Sequence, residues 1–266
     1  MSMRFRLLGS SSAGNCALLE TAQTRILIDA GFSGRQICRR LATGGTKVTD
    51  LEAVFLTHEH SDHVAGLRGL SKETHLEFFA TYGTASAAQR PLRRELRWRL
   101  FEPETTFQFR DLEVTVLRLP HDAHDPVGFV FRSGGDDLFN PPRSVVWMTD
   151  LGYVPENLGP LVREADLLVL EANHDLEMLE QDPHRPFSLK QRIRGRHGHL
   201  SNEAAADFLR GVANPRWREV ILAHISRDCN RADRVVESVG VGQHTFRTTV
   251  FDPASEGGDW IELSHW

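Results

Sequence analysis

The chain has 266 residues, of which 40% are hydrophobic and 25% are charged. These shares are typical of a folded globular protein and exclude a disordered or fibrous chain. The length is sufficient for one large α/β or double-sheet domain. The formal net charge is −5. A site for a polyanion therefore has to come from a local basic patch.

Cysteine usage and hydropathy disfavour a secreted protein and a membrane-spanning protein. The three cysteines, Cys16, Cys38 and Cys229, are too few and too scattered for a secreted disulfide framework. Residues 1–20 lack the basic start and the long apolar stretch of a signal peptide. No apolar run approaches the roughly 20 residues that span a bilayer. We expect a cytoplasmic protein without a membrane partner, while its oligomeric state stays open.

The first half of the chain is rich in predicted strands, which alternate in hydropathy or form short apolar runs. Ser33 is placed to cap a helix that ends at Leu41, and a helical stretch from Thr84 is interrupted by Pro91. The predicted strands are Arg4–Leu8, Cys16–Glu20, Arg25–Asp29, Val54–Thr57, Leu76–Ala80, Glu113–Leu119, Val127–Arg132 and Ser144–Thr149.

The second half alternates strands with helices. Its predicted strands are Leu167–Leu170, Glu219–Ala223 and Thr248–Phe251, and its predicted helices are Pro155–Glu164, Leu176–Gln181 and Ser201–Val212. The chain shows no repeat period of the kind that marks a solenoid. It also has no linker long enough to divide domains. We therefore predict one domain over residues 1–266.

The densest chemical signal is the run His58-Glu59-His60-Ser61-Asp62-His63, which follows a predicted buried strand. Imidazole and carboxylate groups suit zinc, manganese or iron, whereas calcium and magnesium prefer oxygen ligands. Residues two apart at a strand end project to the same side, so His58 and His60 are placed to bind one ion together. Asp62 and His63 are then placed to bind a neighbouring ion. An incidental polar loop is the alternative.

Further ligands are expected at the ends of other strands. His121, Asp150 and His224 each follow a predicted strand, where functional side chains tend to collect. Singly each is a weak signal, but together they can complete the coordination shells. His124 is an alternative to His121, which we prefer because it directly follows the strand and Pro120.

The run and these strand-end residues together resemble the metal motif of the metallo-β-lactamase superfamily. The resemblance implies a four-layer αββα sandwich, with two mixed β-sheets flanked by helices. It implies a first metal held by His58, His60 and His121, and a second held by Asp62, His63 and His224, with Asp150 between them. Asp29 resembles an early acidic position that orients ligands. An ordinary turn residue explains Asp29 equally well.

Later strings narrow the resemblance to the phosphodiesterase branch that contains RNase Z. They are Leu170–Asp175, Gly198–Ala204 and Leu222–Ser226. In RNase Z similar strings surround a proton-transferring histidine, which matches His199, and an acid, which matches Glu171. A structural role for His199 near a helix start is the alternative.

The loop Gly9–Asn15 and the strings around His121, Glu171 and His199 together resemble the bacterial YycJ/WalJ family over roughly Gly9 to Asn230. The resemblance implies a 5′→3′ DNA exonuclease with a role in DNA repair. The sequence lacks the long inserted β-CASP domain of RNase J, since only a short loop follows Asp150.

The chemistry expected of such a site follows from charge. Two divalent cations, Zn²⁺ or Mn²⁺ with Fe as a further possibility, share a water molecule and convert it to hydroxide, which attacks phosphorus. They also neutralise the phosphate oxygens. We predict that Asp62, Glu171 and His199 are catalytic, with His199 protonating the leaving oxygen.

Candidate substrate-binding residues flank these motifs. Ser201 and Asn202 begin a helix whose free N–H groups suit a phosphate, although both are also ordinary N-caps. Lys190–Arg196 leads straight into His197, and a second basic stretch, Arg90–Arg99, has arginines at helical spacing. The predicted substrate-binding residues are Ser10, Asn15, His174, Arg194, Arg196, His197, Ser201 and Asn202.

The leading hypothesis is therefore a binuclear DNA exonuclease with a nucleic acid as its partner. A small-molecule phosphodiesterase, or another ester or lactone hydrolase with the same metals, is the alternative. A third possibility is a nucleic-acid-binding scaffold without catalysis, which the intact ligand set disfavours.

Overall fold

The computed structural model describes residues 3–135 and 141–263, which form two mixed β-sheets covered by helices. The strands are β1 Arg4–Ser11, β2 Gly14–Glu20, β3 Arg25–Ile28, β4 Ala53–Phe55, β5 Glu77–Ala80, β6 Trp98–Leu100, β7 Thr106–Phe109, β8 Leu112–Arg118, β9 Val127–Ser133, β10 Arg143–Met148, β11 Leu167–Glu171, β12 Glu219–Ala223, β13 Arg247–Val250 and β14 Ile261–Glu262. The α-helices are α1 Gly34–Ala42, α2 Ser61–Val64, α3 Leu67–Leu70, α4 Tyr82–Gln89, α5 Gly159–Val162, α6 Leu176–Gln181, α7 Phe187–Ile193, α8 Asn202–Gly211 and α9 Ala232–Val239. Short 3₁₀ turns cover Val48–Asp50 and Glu156–Leu158.

Each sheet has an antiparallel half and a parallel half. Within the described residues the first sheet has seven strands in the order β14-β1-β2-β3-β4-β5-β6, and the strands from β3 to β6 run parallel. The second also has seven, in the order β13-β12-β11-β10-β9-β8-β7, and those from β10 to β13 run parallel. Since parallel strands end at the same edge, each sheet presents a row of carboxyl ends.

The two sheets pack face to face through a core of large apolar side chains. Phe55 of the first sheet stacks on Phe79 with ring centroids 4.4 Å apart and meets Phe129 and Phe131 of the second sheet edge-on, at 5.8 and 5.3 Å. A second cluster joins the outer face of the first sheet to α1, α3 and α4, and a third joins the second sheet to α5, α8 and α9. These layers are the predicted αββα sandwich, which is confirmed.

Side-chain caps fix where several helices begin. Ser33 and Gln36 form a capping box at the start of α1, as the sequence predicts for Ser33. Thr81 and Ser201 cap α4 and α8 through their hydroxyls alone, which accept the backbone N–H groups of Thr84 and Ala204. In the described part of the chain no helix is long and apolar enough to cross a membrane.

Most predicted strands are confirmed. The basic stretch Arg90–Arg99, however, does not form the helix that the spacing of its arginines suggests. α4 ends at Gln89, two residues before Pro91, and residues 98–100 form the edge strand β6. The Gln89 side chain accepts hydrogen bonds from the backbone of Leu96 and the indole of Trp98, at 3.1 and 2.9 Å, which holds this segment as a turn. The short strands β6, β7 and β14 and the helices α2, α3, α7 and α9 were not predicted.

The packing between the sheets predicts a large stability loss for Phe55→Ala. Removing a fully buried ring that contacts both sheets costs about 3–5 kcal/mol in the free energy of unfolding. Denaturant unfolding followed by circular dichroism measures the change. Leu100→Ala, at a side chain that is 56% exposed, is the control and should change stability by at most about 0.5 kcal/mol. Equal losses in both variants would contradict this account of the core.

Candidate metal centre and active site

Both rows of strand ends lie at one edge of the sandwich and carry the polar residues. In the first sheet Asp29 follows β3 and His58 follows the neighbouring strand β4. In the second sheet Asp150, Glu171 and His224 stand at or just beyond the ends of β10, β11 and β12, which are parallel neighbours in register. The site is therefore assembled from both sheets.

The histidine-rich run changes direction within a few residues. β4 ends at Phe55, and His60 is the N-cap of the single helical turn α2. The backbone N–H of His63 donates to the carbonyl of His60 at 2.9 Å, which closes the turn. As a result His58 and His60 face one position, whereas Asp62 and His63 face the next.

The first group of donor atoms belongs to His58, His60 and His121. One ligand atom from each lies within 4.8 Å of the others. His60 Nδ1 and His121 Nε2 are 3.3 Å apart. His121 Nδ1 donates to the carbonyl of Gly198 at 3.0 Å, which turns the other ring nitrogen toward the group.

The second group consists of Asp62, His63 and His224, whose ligand atoms also lie within 4.8 Å of one another. His224 Nε2 is 3.6 Å from Asp62 Oδ2. Asp150 stands between the groups, because its carboxylate oxygens are 3.2 Å from His63 Nε2, 3.6 Å from His224 Nε2 and 3.9 Å from His121 Nε2. This is the arrangement that a metal-bridging acid requires.

Unpaired buried nitrogens test whether this cluster suits a metal. His58 Nε2 and His224 Nε2 are buried and have no hydrogen-bond partner among the described residues. A buried polar atom without a partner is costly, so one such nitrogen in each donor group calls for a ligand there. Clustered imidazoles and carboxylates are the donors that divalent transition metals prefer. The cluster therefore fits a divalent metal site.

Proton affinities in the cluster are strongly perturbed by burial and by neighbouring charge. Burial lowers the pKa of His58 well below its usual value, so this ring is neutral, the form that binds metal. Burial opposes charge on Asp150, but His224 and His63 hold the pKa of this carboxyl well below its usual range. Burial also opposes charge on His63 and His224, yet Asp150 raises the pKa of both. Metal binding has to displace those protons.

Asp29 supports the ligands from behind. Its Oδ2 accepts a hydrogen bond from His63 Nδ1 at 2.8 Å, and its Oδ1 accepts one from the backbone N–H of Thr57 at 2.9 Å. The backbone φ is positive at Asp29 (59°), Asp150 (62°) and His224 (54°). Non-glycine residues rarely adopt this region, and functional sites are where such strain collects. Asp29 is thus both a turn residue and a partner of His63.

Glu171 joins His224 to His199. Its Oε1 lies 2.6 Å from His224 Nδ1 and 2.8 Å from His199 Nδ1, and its Oε2 accepts backbone N–H groups of Leu151 and Leu200. Burial opposes charge on Glu171, but the two imidazoles lower its pKa to about 2. Burial likewise opposes charge on His199, and Glu171 still raises the pKa of the ring. His199 is consequently held near Asp150, and the protonated form of its ring is favoured.

A cavity of about 280 Å³ opens at the cluster. Besides the predicted ligands and His199, its wall includes residues that the sequence analysis did not single out. They are Ser12, Asp122, Asn173, Arg185, Leu189, Arg192, Ile193, Gly198 and Ser226. Arg192 belongs to a basic run that the sequence analysis had noted. No local signal marks Arg185, because only the fold brings it to the cavity.

Two residues predicted to bind substrate instead support the ligands. The hydroxyl of Ser10 donates to Asn15 Oδ1 and accepts the backbone N–H of His224, both at 2.9 Å. Asn15 Nδ2 lies 3.0 Å from His63 Nε2. Ser10 and Asn15 are buried, and their side chains contact each other and the ligand residues, so substrate binding by either stays a prediction.

Two further residues predicted to bind substrate are also buried, and their role in substrate binding stays a prediction. Asn202 is fully buried and pairs side chain to side chain with Asn230, and His174 is 1% exposed. Burial lowers the pKa of His174 to about 4, so the ring is neutral. The hydroxyl of Ser201 accepts the backbone N–H of Ala204 at 3.2 Å and acts as an N-cap.

The remaining candidates are exposed, and in sequence they lie between residues of the cavity wall. The guanidinium of Arg196 lies 4.5 Å from the centroid of the Tyr153 ring, and Arg194 pairs with Glu180 at 3.3 Å. His197 is exposed as well. Substrate binding by Arg194, Arg196 and His197 stays a prediction.

The alternative ligand His124 is occupied elsewhere. Its Nδ1 lies 2.6 Å from a carboxylate oxygen of Glu59, and its side chain is 64% exposed. His124 belongs to none of the donor groups found among the described residues, whereas His121 belongs to the first. The geometry therefore favours His121.

The contact between Asp29 and His63 predicts that Asp29→Asn lowers metal affinity by about 10- to 100-fold, because His63 loses the charge that orients it. Competition with a chelator measures the affinity, and circular dichroism checks the fold. Asp125→Asn is the matched control, since Asp125 also has a positive φ but its side chain is 55% exposed and forms an ion pair with the exposed Arg118. An unchanged affinity in Asp29→Asn would contradict this role.

Comparison with known proteins places the chain in a family. The model of the beta-lactamase superfamily domain matches residues 24–225. The chain is 34% identical to the exodeoxyribonuclease WalJ of Streptococcus pneumoniae over 231 residues, which are 85% of this chain and 83% of WalJ. It is 31% identical to the exodeoxyribonuclease YycJ of Bacillus anthracis over 254 residues, 91% of this chain and 92% of YycJ.

A solved structure agrees with the fold. The metallo-beta-lactamase fold protein YhfI of Bacillus subtilis superposes with a TM-score of 0.71 at 17% identity, covering 98% of this chain and 100% of YhfI. At this identity the likeness concerns the fold alone. The sequence matches go further. They show that the chain belongs to the beta-lactamase superfamily and, within it, to the family of the WalJ and YycJ exodeoxyribonucleases.

Proposed function

We propose that the protein is a metal-dependent exodeoxyribonuclease that hydrolyses DNA phosphodiester bonds in the 5′→3′ direction in the cytoplasm. The observation that carries the proposal is the convergence of two donor groups, bridged by Asp150, beside the Glu171–His199 pair. Membership of a family whose named relatives are exodeoxyribonucleases supports DNA as the substrate. A role in DNA repair stays a prediction.

The donor groups suit two divalent cations, Zn²⁺ or Mn²⁺, with His58, His60 and His121 around one and Asp62, His63 and His224 around the other. When bound, such a pair supplies an activated water and positive charge against the phosphate oxygens. Asp29 and Glu171 orient His63 and His224 through the ring nitrogens that do not face the cavity. Ser10 supports the same arrangement through the backbone of His224.

His199 is suited to protonate the leaving oxygen. Glu171 holds its Nδ1 at 2.8 Å, which leaves Nε2 as the candidate donor nitrogen. His199 Nδ1 lies 3.7 Å from Asp150 Oδ1 and the ring lines the cavity, which supports a role for His199 next to a phosphate bound there. An imidazole whose pKa is raised by a carboxylate stays protonated near neutral pH and can then donate that proton to the leaving oxygen.

A basic segment next to the cavity fits a nucleic acid. No acidic residue occurs between Asp182 and Glu203, whereas this stretch holds Arg185 and the basic run Lys190–Arg196. These charges are local in a chain with a net charge of −5. Tyr153, stacked under Arg196, adds an aromatic surface of the kind that supports bases of single strands.

Nuclease assays test the proposal. We expect the metal-loaded protein to release mononucleotides from end-labelled DNA, and His60→Ala and Asp150→Ala to abolish release together with metal binding. His199→Ala should keep its metal and lower kcat by about 10²- to 10⁴-fold, because only proton transfer is removed. Metal content is measured by elemental analysis of each variant.

His75→Ala is the matched control, since His75 is exposed and lies outside the cavity wall. It should leave both metal content and activity unchanged. A metal-loaded protein that hydrolyses bis(p-nitrophenyl) phosphate but degrades no DNA would overturn the nuclease proposal in favour of a small-molecule phosphodiesterase.

A further inference from the structure

One wall of the cavity has no role in the chemistry described above. It is formed by α7, through Leu189, Arg192 and Ile193, and by Arg185 just before that helix. Two arginines therefore face the same cavity as the donor groups. Metal ligands and a proton donor act on one phosphate, so the arginine N–H donors on this wall that no carboxylate uses are available to another group.

Arg192 is held in place by one contact. Its Nε donates to Asp122 Oδ2 at 2.5 Å, and Asp122 Oδ1 lies 3.5 Å from His121 Nε2. The side chain is 61% exposed, and among the described residues its Nη groups have no hydrogen-bond partner. The Asp122 carboxylate thus fixes the guanidinium at the cavity wall while leaving donors free. Arginine presents such donors in a fork that matches phosphate oxygens.

Arg185 is anchored in a similar way. It forms ion pairs with Asp182 and with Asp228, the latter at 2.8 Å, and its side chain is 21% exposed. An arginine held by carboxylates loses less side-chain entropy on binding a ligand than a mobile surface arginine does. Arg185 and Arg192 are therefore both preorganised, and they share the cavity wall with the hydrophobic residues Leu189 and Ile193.

The backbone joins this wall rigidly to the reacting groups. The N–H of His199 donates to the carbonyl of Ile193 at 2.8 Å, and the carbonyl of Gly198 accepts His121 Nδ1 at 3.0 Å. A Cβ on Gly198 would lie 2.1 Å from the carbonyl oxygen of Ile193, so only glycine permits this close approach. The distance between Arg192 and the donor groups is consequently set by the fold.

We propose that Arg192 and Arg185 bind a second phosphate of the substrate strand, adjacent to the phosphodiester that is cleaved. The inference rests on the proposed function. It makes Arg192 and Arg185 specificity-determining residues and Asp122 a positioning residue. The preferred substrate is then a strand that carries a further phosphate near the scissile bond, either a terminal phosphate or the next internal phosphodiester.

Three substrates test this inference on the metal-loaded protein. They are a 5′-phosphorylated oligodeoxynucleotide, the same strand with a 5′-hydroxyl, and bis(p-nitrophenyl) phosphate, which has no second phosphate. For Arg192→Ala and Arg185→Ala we expect kcat/KM on the phosphorylated strand to fall by about 10- to 100-fold, mainly through KM, because a charged hydrogen bond is lost. Hydrolysis of bis(p-nitrophenyl) phosphate should stay unchanged.

Comparison of the two strands identifies the source of the phosphate. A loss confined to the phosphorylated strand assigns the terminal phosphate, and an equal loss on both strands assigns the next internal one. Both outcomes support the inference. The dependence of KM on salt should also weaken in Arg192→Ala, because one phosphate contact disappears.

Control variants separate this role from a structural one. Arg192→Lys should restore part of the lost kcat/KM, and Asp122→Asn should raise KM while metal content stays constant. Arg210→Ala removes an exposed arginine that is likewise paired with a carboxylate, Asp207, but lies outside the cavity wall, and should change nothing. Loss of activity on all three substrates alike, or on none, overturns this inference alone. Wild-type protein that hydrolyses bis(p-nitrophenyl) phosphate but no DNA overturns the proposed function as well.

Discussion

The candidate active site depends on the face-to-face packing of two sheets, because neither sheet holds a complete set of donor atoms. The first sheet supplies the run from His58 to His63, and the second supplies His121, Asp150 and His224. The rings of Phe55 and Phe129 that meet between the sheets therefore also set the distance between the two halves of the site. A well-packed interior resists compression and expansion, so it keeps donor atoms at fixed separations.

Behind the donor groups, buried carboxylates orient the histidines that this packing brings together. Asp29 holds His63 on the side of the first sheet, and Glu171 holds His224 on the side of the second. Glu171 also holds His199, so a single carboxylate fixes one candidate ligand and the candidate proton donor. Buried charges of this kind are tolerated because each is matched by imidazoles and backbone N–H groups. The positive φ at Asp29 is a local cost that these bonds offset.

The segment from Arg185 to His199 extends this rigidity to the substrate side. It carries positive charge on a chain that is acidic overall, and it is tied by hydrogen bonds through Gly198 to His121. Under the proposed function, this local charge attracts a polyanion to one face and not to the protein as a whole. Preorganised arginines next to a metal centre combine affinity with positioning, since the same backbone fixes both.

The sequence by itself determined the chemistry and the class of fold. The spacing of His58, His60, Asp62 and His63 and the strand-end residues follow from local patterns, because hydropathy marks the strands and residue type marks the ligands. Whether a polar side chain faces a cavity or another side chain is decided by contacts distant in sequence. Only the tertiary structure assigned Asn15 and Asn202 to buried hydrogen bonds, turned His124 toward Glu59 and brought Arg185 to the cavity wall. The residues of each contact lie far apart along the chain, so no local sequence pattern predicts the contact.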